Sequence, residues 1–289
     1  IFWAMDLAGG DPVQQILPEN ATVEQQEALR ESMGLNDPFL TRYFRYVGGI
    51  ITGDMGTSWK SGLDVFDTFM GRLPKTLLLG GTALIFACLI SIPLGVYTAI
   101  HQNSWKDTAG MVFALFGVSM PNFWLGLMFI LLFSLKLGWL PSGGTGGIEY
   151  LIMPAATVGL SLAALLTRTT RSAMLDVIRQ DYMTTAKAKG ASRNRVIYQH
   201  GLRNAMIPIV TAIGMQFSFV MTGSVLAETV FAWPGIGRLI VDAINKRDTP
   251  TVTGSIILCC VMMALINLAT DIVYAFCDPR IKAQYSNKR

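Results

Sequence analysis

Five stretches of the chain run for 17 to 27 residues without a charged side chain: Leu77–Ile100, Ala109–Leu135, Leu151–Thr167, Ala205–Ala227 and Thr249–Thr270. A hydrocarbon core about 30 Å thick takes roughly 20 helical residues at about 1.5 Å each. Each run is therefore long enough to cross a bilayer, the shortest with help from Tyr150 and Arg168 as interfacial anchors. Composition agrees, with 52% hydrophobic and 15% charged residues and a mean hydropathy of +0.44. A water-soluble domain carries about a quarter charged residues, so a cytosolic enzyme is excluded. A net charge of +4 is too small for a nucleic-acid reader, and no nucleic-acid partner is expected.

The opening Ile1-Phe2-Trp3-Ala4-Met5 reads as the end of a first, partly present span (residues 1–8), giving six spans in an all-α polytopic membrane protein. Residues 9–76 then form an outer segment with short helices, 77–277 a membrane core with loops at 174–204 and 228–248, and 278–289 a tail. Basic residues mark the cytoplasmic face. Arg168 to Arg203 holds eight of them against two acids, and the tail adds Arg280, Lys282, Lys288 and Arg289, so both lie inside. The C-terminus is thus expected in the cytoplasm and the protein in a cell membrane.

Cys88, Cys259, Cys260 and Cys277 lie in or at the end of apolar runs and read as small apolar fillers. No metal-ligand spacing is present, and neither is the glycine-lysine loop that binds ATP phosphates. In the outer segment, Thr22-Val23-Glu24-Gln25 has the capping-box pattern and Gly34 a C-cap position, predicting a helix over Thr22–Met33. A second helix starts at Asn36-Asp37-Pro38 and carries Phe39, Leu40, Tyr43, Phe44 and Val47 as an apolar stripe. Such a cap suits docking of an outer partner or simple cover for the span ends.

The loop 174–204 is the most informative segment. Asp181 to Lys189 reads as a short helix closed by Gly190, and Ser192 can start a second stretch through Val196, Ile197 and Tyr198. That knob can be gripped by another protein, or its basic residues can sit on anionic lipid. Composition does not separate the two.

The residues Thr185-Ala186-Lys187-Ala188-Lys189-Gly190, with His200-Gly201-Leu202-Arg203-Asn204-Ala205, resemble the coupling loop of permease subunits in ATP-binding-cassette (ABC) importers, in the dipeptide, oligopeptide and nickel branch. The general importer signature has an acid and two alanines ahead of the glycine. Here Thr184 and Thr185 replace the acid and first alanine, and Arg203 replaces a later proline; Ala186 and Gly190 hold. Further resemblance lies in Gly9 to Pro12, Gly53 to Gly56, Arg72 to Leu77, Glu228 to Gly237, Arg247-Asp248 and Cys277 to Arg280, so it covers the whole chain.

The resemblance implies a type I ABC importer permease fold and half of a path for small peptides. It implies four partners beyond membrane lipid: a homologous second permease, two ATP-binding subunits that carry ATP and magnesium, and an extracytoplasmic substrate-binding protein. No cofactor and no catalytic site is expected on this chain. ATPase coupling falls to Tyr182, Thr185, Ala186, Lys187, Ala188, Lys189, Gly190, Val196 and His200. Glu228, Phe231, Trp233, Pro234 and Gly235 form an outer gate or binding-protein contact, although tryptophan also favours membrane interfaces in general. Nickel or glutathione is the alternative cargo, and a stand-alone secondary transporter the remoter reading, against which no internal repeat stands out.

Polar residues inside spans are costly against lipid, which makes Ser119, Asn122, Gln216, Ser218 and Thr222 candidates for the path. For the hydroxyls, bonding to their own helix is the competing reading. Asp271 is expected to pair with Arg168 or Arg171.

Overall fold

A computed structural model describes residues 2, 3, 13, 16–18 and 20–277, with the side chains of 221–223 and 273–277 excepted. The expected first-span residues 4–8, the Gly9–Pro12 motif and the 278–289 tail lie outside the described residues. Among those described, every named element is helical and Thr57 and Asp64 form an isolated antiparallel bridge. The chain divides into two compact units, residues 1–76 with 234–261 and residues 77–233 with 262–289.

The first unit begins with α1 (Val23–Ser32) and α2 (Phe39–Thr52). The capping box forms as read: Thr22 Oγ1 accepts from the Gln25 N–H at 3.3 Å, and Gln25 Oε1 accepts from the Thr22 N–H at 3.0 Å. Helix α2 starts after Pro38, and its apolar residues divide. Phe39, Tyr43 and Tyr46 cluster with Phe2, which stacks on Tyr46 at 5.3 Å, while Leu40, Phe44 and Ile51 stay exposed. The unit also takes in the start of α3 (Val65–Ile100), α10 (Ile236–Asn245) and the start of α11 (Thr249–Cys277). Val65, Phe69 and Leu73 are buried at four-residue intervals, the apolar stripe that a helix needs.

Asp248 ties this unit together. Its buried carboxylate accepts from Ser58 Oγ–H at 2.5 Å, the Trp59 N–H at 3.0 Å and Thr251 Oγ1–H at 2.7 Å. Residues 190 positions apart are thereby joined. At the head of α10, the Ile236 N–H, which has no partner inside its own helix, donates to Thr76 Oγ1 at 2.8 Å.

The second unit contains the rest of α3, then α4 (Trp105–Ser119), α5 (Asn122–Phe129) continued by a π-helical segment (Ile130–Lys136), and α6 (Glu149–Ile178). Next come α7 (Asp181–Ala188), a π-helical segment (Arg195–Leu202), α8 (Arg203–Gly223), α9 (Val225–Val230) and the rest of α11. The core is built from α3, α6 and α8, with Ala83, Ala87, Val158, Leu162, Leu166 and Val220 in one cluster and Val96, Ala99, Met174, Ala205 and Ile209 in a second. Small residues let these backbones approach, as membrane helices require. A Cβ on Gly95 would lie 2.5 Å from Thr170 Cβ on α6.

Among the described residues, three helices are individually long and apolar enough to cross a membrane: α3, α6 and Thr249–Ile272 of α11. The pair formed by α4 with residues 122–136 is bent by 95° and makes a fourth when counted as one broken span and not as a re-entrant loop. Pro121 explains the break, since it lacks the N–H that would continue the ladder and its ring opposes the preceding turn. The expected run Ala205–Ala227 is divided between α8 and α9 at Ser224. The run Leu151–Thr167 extends well past its apolar part, into the 30 residues of α6.

Candidate functional site

Helix α7 stands at the end of α6 on a narrow foot. Met183 is its buried residue. A Cβ added at Gly201 would lie 3.3 Å from both Met174 Cε on α6 and Met183 Cε on α7, so the two methionines and the glycine meet at one point. Tyr182, Thr185, Lys187, Ala188 and Lys189 are exposed, and Ala186 is half-buried. Gly190 closes the helix at φ +81°, with no atom within 4 Å of the space a side chain would occupy. Val196 is 1% exposed and belongs to the foot. His200 is half-buried, and its carbonyl accepts from Asn204 Nδ2 at 2.6 Å. The sequence-derived set thus separates into an exposed face on α7 and a buried support.

The support is braced by an ion pair absent from the sequence reading. Arg171 on α6 donates from Nε to Asp107 Oδ1 and from Nη2 to Asp107 Oδ2, both at 2.7 Å. Asp107 also accepts from the Asn103 N–H at 3.1 Å, and its side chain is 7% exposed against 24% for Arg171. A bidentate pair of this kind fixes distance and orientation together. The expected pairing of Asp271 with Arg168 or Arg171 is corrected: Arg171 is engaged by Asp107, and Asp271 is exposed. One turn of α4 brings a carboxylate nearer than the last span does.

Within the second unit, α4, α5, α6 and α8 line a half-open cavity of about 350 Å³, with Phe219, Val118 and Leu165 exposed at its open side. Its wall is mainly apolar, with Val118, Leu165 and Phe219 among its residues, and four polar side chains enter it: Asn122, Ser161, Arg168 and Gln216. Ser161 Oγ–H donates to Asn122 Oδ1, which turns the Asn122 amide nitrogen into an available donor. Two of the expected path residues, Asn122 and Gln216, are therefore brought together. Ser119 instead donates to the Leu115 carbonyl of its own helix at 2.9 Å, and Ser218 bridges to Asn267 Oδ1 on α11 at 2.6 Å. The side chain of Thr222 lies outside those described. Ser161 and Arg168 were not singled out from the sequence as cavity residues; their spacing of seven, two turns on one helical face, was the available signal.

Of the residues expected at an outer gate, Glu228, Phe231 and Trp233 are packed within the second unit, and Pro234 and Gly235 belong to the first. Glu228 is fully buried, accepts from Ser224 Oγ–H at 3.0 Å, and its carbonyl accepts the Trp233 N–H at 2.8 Å. Phe231 is buried and its carbonyl accepts the Gly144 N–H at 2.8 Å. Trp233 packs with Leu79, Leu151 and Ala155. Ala232 between them sits at φ +50°, a strained setting for alanine. Pro234 is half-buried and Gly235, at the head of α10, is buried.

Residues 91–283 match the family described as the binding-protein-dependent transport system inner membrane component. The chain belongs to that family. Over 282 residues, covering 98% of this permease and 92% of the relative, it is 40% identical to the glutathione transport system permease protein GsiC of Salmonella paratyphi A. GsiC of Escherichia coli strain K12 is 39% identical over the same coverage. The fold is similar to that in inward-facing conformations of the MetNI methionine ABC transporter, at a TM-score of 0.64 and 18% identity over 74% of this chain and 97% of that one. An amino acid ABC transporter with histidines gives 0.53 at 14% identity, over 74% and 94%. The permease thus has the type I importer fold and is a transport subunit, not an enzyme.

Proposed function

We propose that this permease forms half of an ATP-driven path for small peptides in a bacterial inner or plasma membrane. Its partners are a homologous second permease, two ATP-binding subunits that carry ATP and magnesium, and an extracytoplasmic binding protein. The loop with α7 and the C-terminus face the cytoplasm. The observation that carries this reading is α7 itself, exposed along Thr185, Lys187 and Lys189 yet anchored through Met183 to α6. A short helix on a rigid foot transmits movement as a body, so closure of the ATPase pair switches the path between its outward- and inward-facing states.

The cargo is a peptide of a few residues. Glutathione, which the GsiC relatives carry in their name, is a γ-linked tripeptide and falls within that class. Asn122 and Gln216 supply the amides that face it. The corner at Glu228, Phe231 and Trp233 is the stiff outer end of the path, where the binding protein delivers its cargo.

Reconstitution of the complete complex in proteoliposomes tests this. Uptake of a labelled tripeptide must require both ATP and the binding protein, and unlabelled glutathione is expected to compete where nickel does not. Proton- or sodium-driven uptake by this chain alone would defeat the proposal.

A further inference from the structure

The cavity between α4, α5, α6 and α8 has a chemical polarity of its own. At one end stands the guanidinium of Arg168; among the described residues no acidic side chain lines the cavity, and no ion pair engages Arg168. Also lining it are the Asn122 amide, oriented by Ser161, and the Gln216 amide. The remaining wall is apolar and includes Leu165 and Phe219. Arg168 is itself exposed and directly follows the charge-free part of α6, so an anion entering the pocket can reach its guanidinium.

Dimensions narrow the ligand. Ser161 and Arg168 are seven residues apart on α6, which separates them by about 10 Å along one face. An extended chain advances about 3.3–3.6 Å per residue, so about three residues reach from the amides to the guanidinium. A volume of about 350 Å³ is at the small end of ligand sites, which run from about 300 to 1,000 Å³.

We infer that this cavity is a substrate subsite within one permease, in which Arg168 holds the terminal carboxylate of a two- or three-residue peptide. Asn122 and Gln216 bond its backbone amides, and Leu165 and Phe219 receive its side chains. Arginine suits the task because its planar fork takes a carboxylate through two parallel bonds. The inference rests on the peptide-transport reading above and adds to it the group that is recognised and the residue that recognises it.

The test compares labelled Ala-Ala-Ala with its C-terminal amide in proteoliposomes holding the whole complex, after the binding protein's affinity for each has been measured so that selection upstream can be divided out. Wild type is expected to favour the free acid. Arg168→Gln is expected to lower uptake of the acid about tenfold, the loss of a charge-assisted contact, with little change for the amide, so that the acid-to-amide ratio falls toward one. Arg168→Lys restores part of that ratio. Assembly is read separately by size exclusion and co-purification of the ATPase subunits.

An unchanged ratio in an assembled Arg168→Gln complex overturns the subsite and leaves peptide transport standing. Should wild type import neither peptide, the cargo reading fails, and the subsite with it. If Arg168→Gln does not assemble, Leu165→Trp, which fills the cavity from its apolar wall, decides the matter: abolished uptake of both peptides by an assembled complex supports the subsite, and wild-type uptake overturns it.

Discussion

Removing Arg171 tests the brace beneath α7 quantitatively. In Arg171→Gln the Asp107 carboxylate, with 7% of its side chain exposed, loses both guanidinium bonds while its surroundings stay closed. An unpaired buried acid escapes by taking up a proton, which bounds the penalty. From an ordinary carboxylate pKa of about 3.9, holding the group protonated at pH 7 costs about 4 kcal/mol, and at pH 5 about 1.5 kcal/mol, at 1.36 kcal/mol per pH unit. The sign follows from linkage: a folded-state pKa raised above the unfolded value destabilises increasingly as pH rises, and the deficit disappears toward pH 4. With about 2–4 °C per kcal/mol for a chain of this size, thermal unfolding in detergent should fall on the order of 10 °C at pH 7 and about 4 °C at pH 5. Asp107→Asn removes the ionisable partner and should show a deficit that does not change between these pH values. The measurement is a melting series on wild type and both variants at the two pH values. A deficit in Arg171→Gln that stays constant with pH would refute the argument that a trapped carboxylate causes it.

Gly190→Val forces a β-branched residue to φ +81°, costing about 1–2 kcal/mol, yet meets no neighbour in its own chain. It should therefore insert and assemble normally while transporting less cargo per ATP hydrolysed, and an unchanged ratio of uptake to hydrolysis would remove α7 from the coupling role. Asp248→Ala orphans Ser58, the Trp59 N–H and Thr251 together; a loss of about 3 kcal/mol should appear as faster tryptic cleavage after Lys60. Gly95→Val should lower stability by about 1–3 kcal/mol through overpacking against Thr170. Gly81→Val, where nothing lies within 4 Å, is its control and should stay near wild type in the same melting assay.

The sequence carried the helices better than it carried their joints. Charge-free runs located the apolar parts of α3, α4, α6, α8 and α11, because desolvating a charge is the largest single cost in a bilayer. That same criterion stopped at Lys75, although Val65, Phe69 and Leu73 continue α3 as a buried stripe for three more turns. The run Ala109–Leu135 was read as one stretch, and the 95° bend at Pro121 divides it into α4 and α5. Local signals were read well: the Thr22–Gln25 box and the left-handed Gly190 are decided within a few residues. The contacts that shape the site are long-range. Asp107 meets Arg171 across 64 positions and Ser161 meets Asn122 across 39, and nothing in either residue's neighbourhood announces its partner. Val196 shows the converse, since a place in the coupling motif did not reveal that it is part of the core.

One consequence of α6 concerns distance from the lipid. Of its 30 residues, those from Arg168 to Ile178 follow the charge-free part and extend about 16 Å beyond it. Tilt of about 20° would shorten that by only about a twentieth. The headgroup layer occupies roughly 5–7 Å on each side of the hydrocarbon, and electrostatic attraction to it is screened within about 8 Å at physiological salt. In the proposed orientation α6 therefore acts as a mast. Met183 holds α7 beside Met174, seven residues or about 10 Å past Thr167, which sets its anchor beyond the headgroup layer on the side proposed for the ATPase subunits.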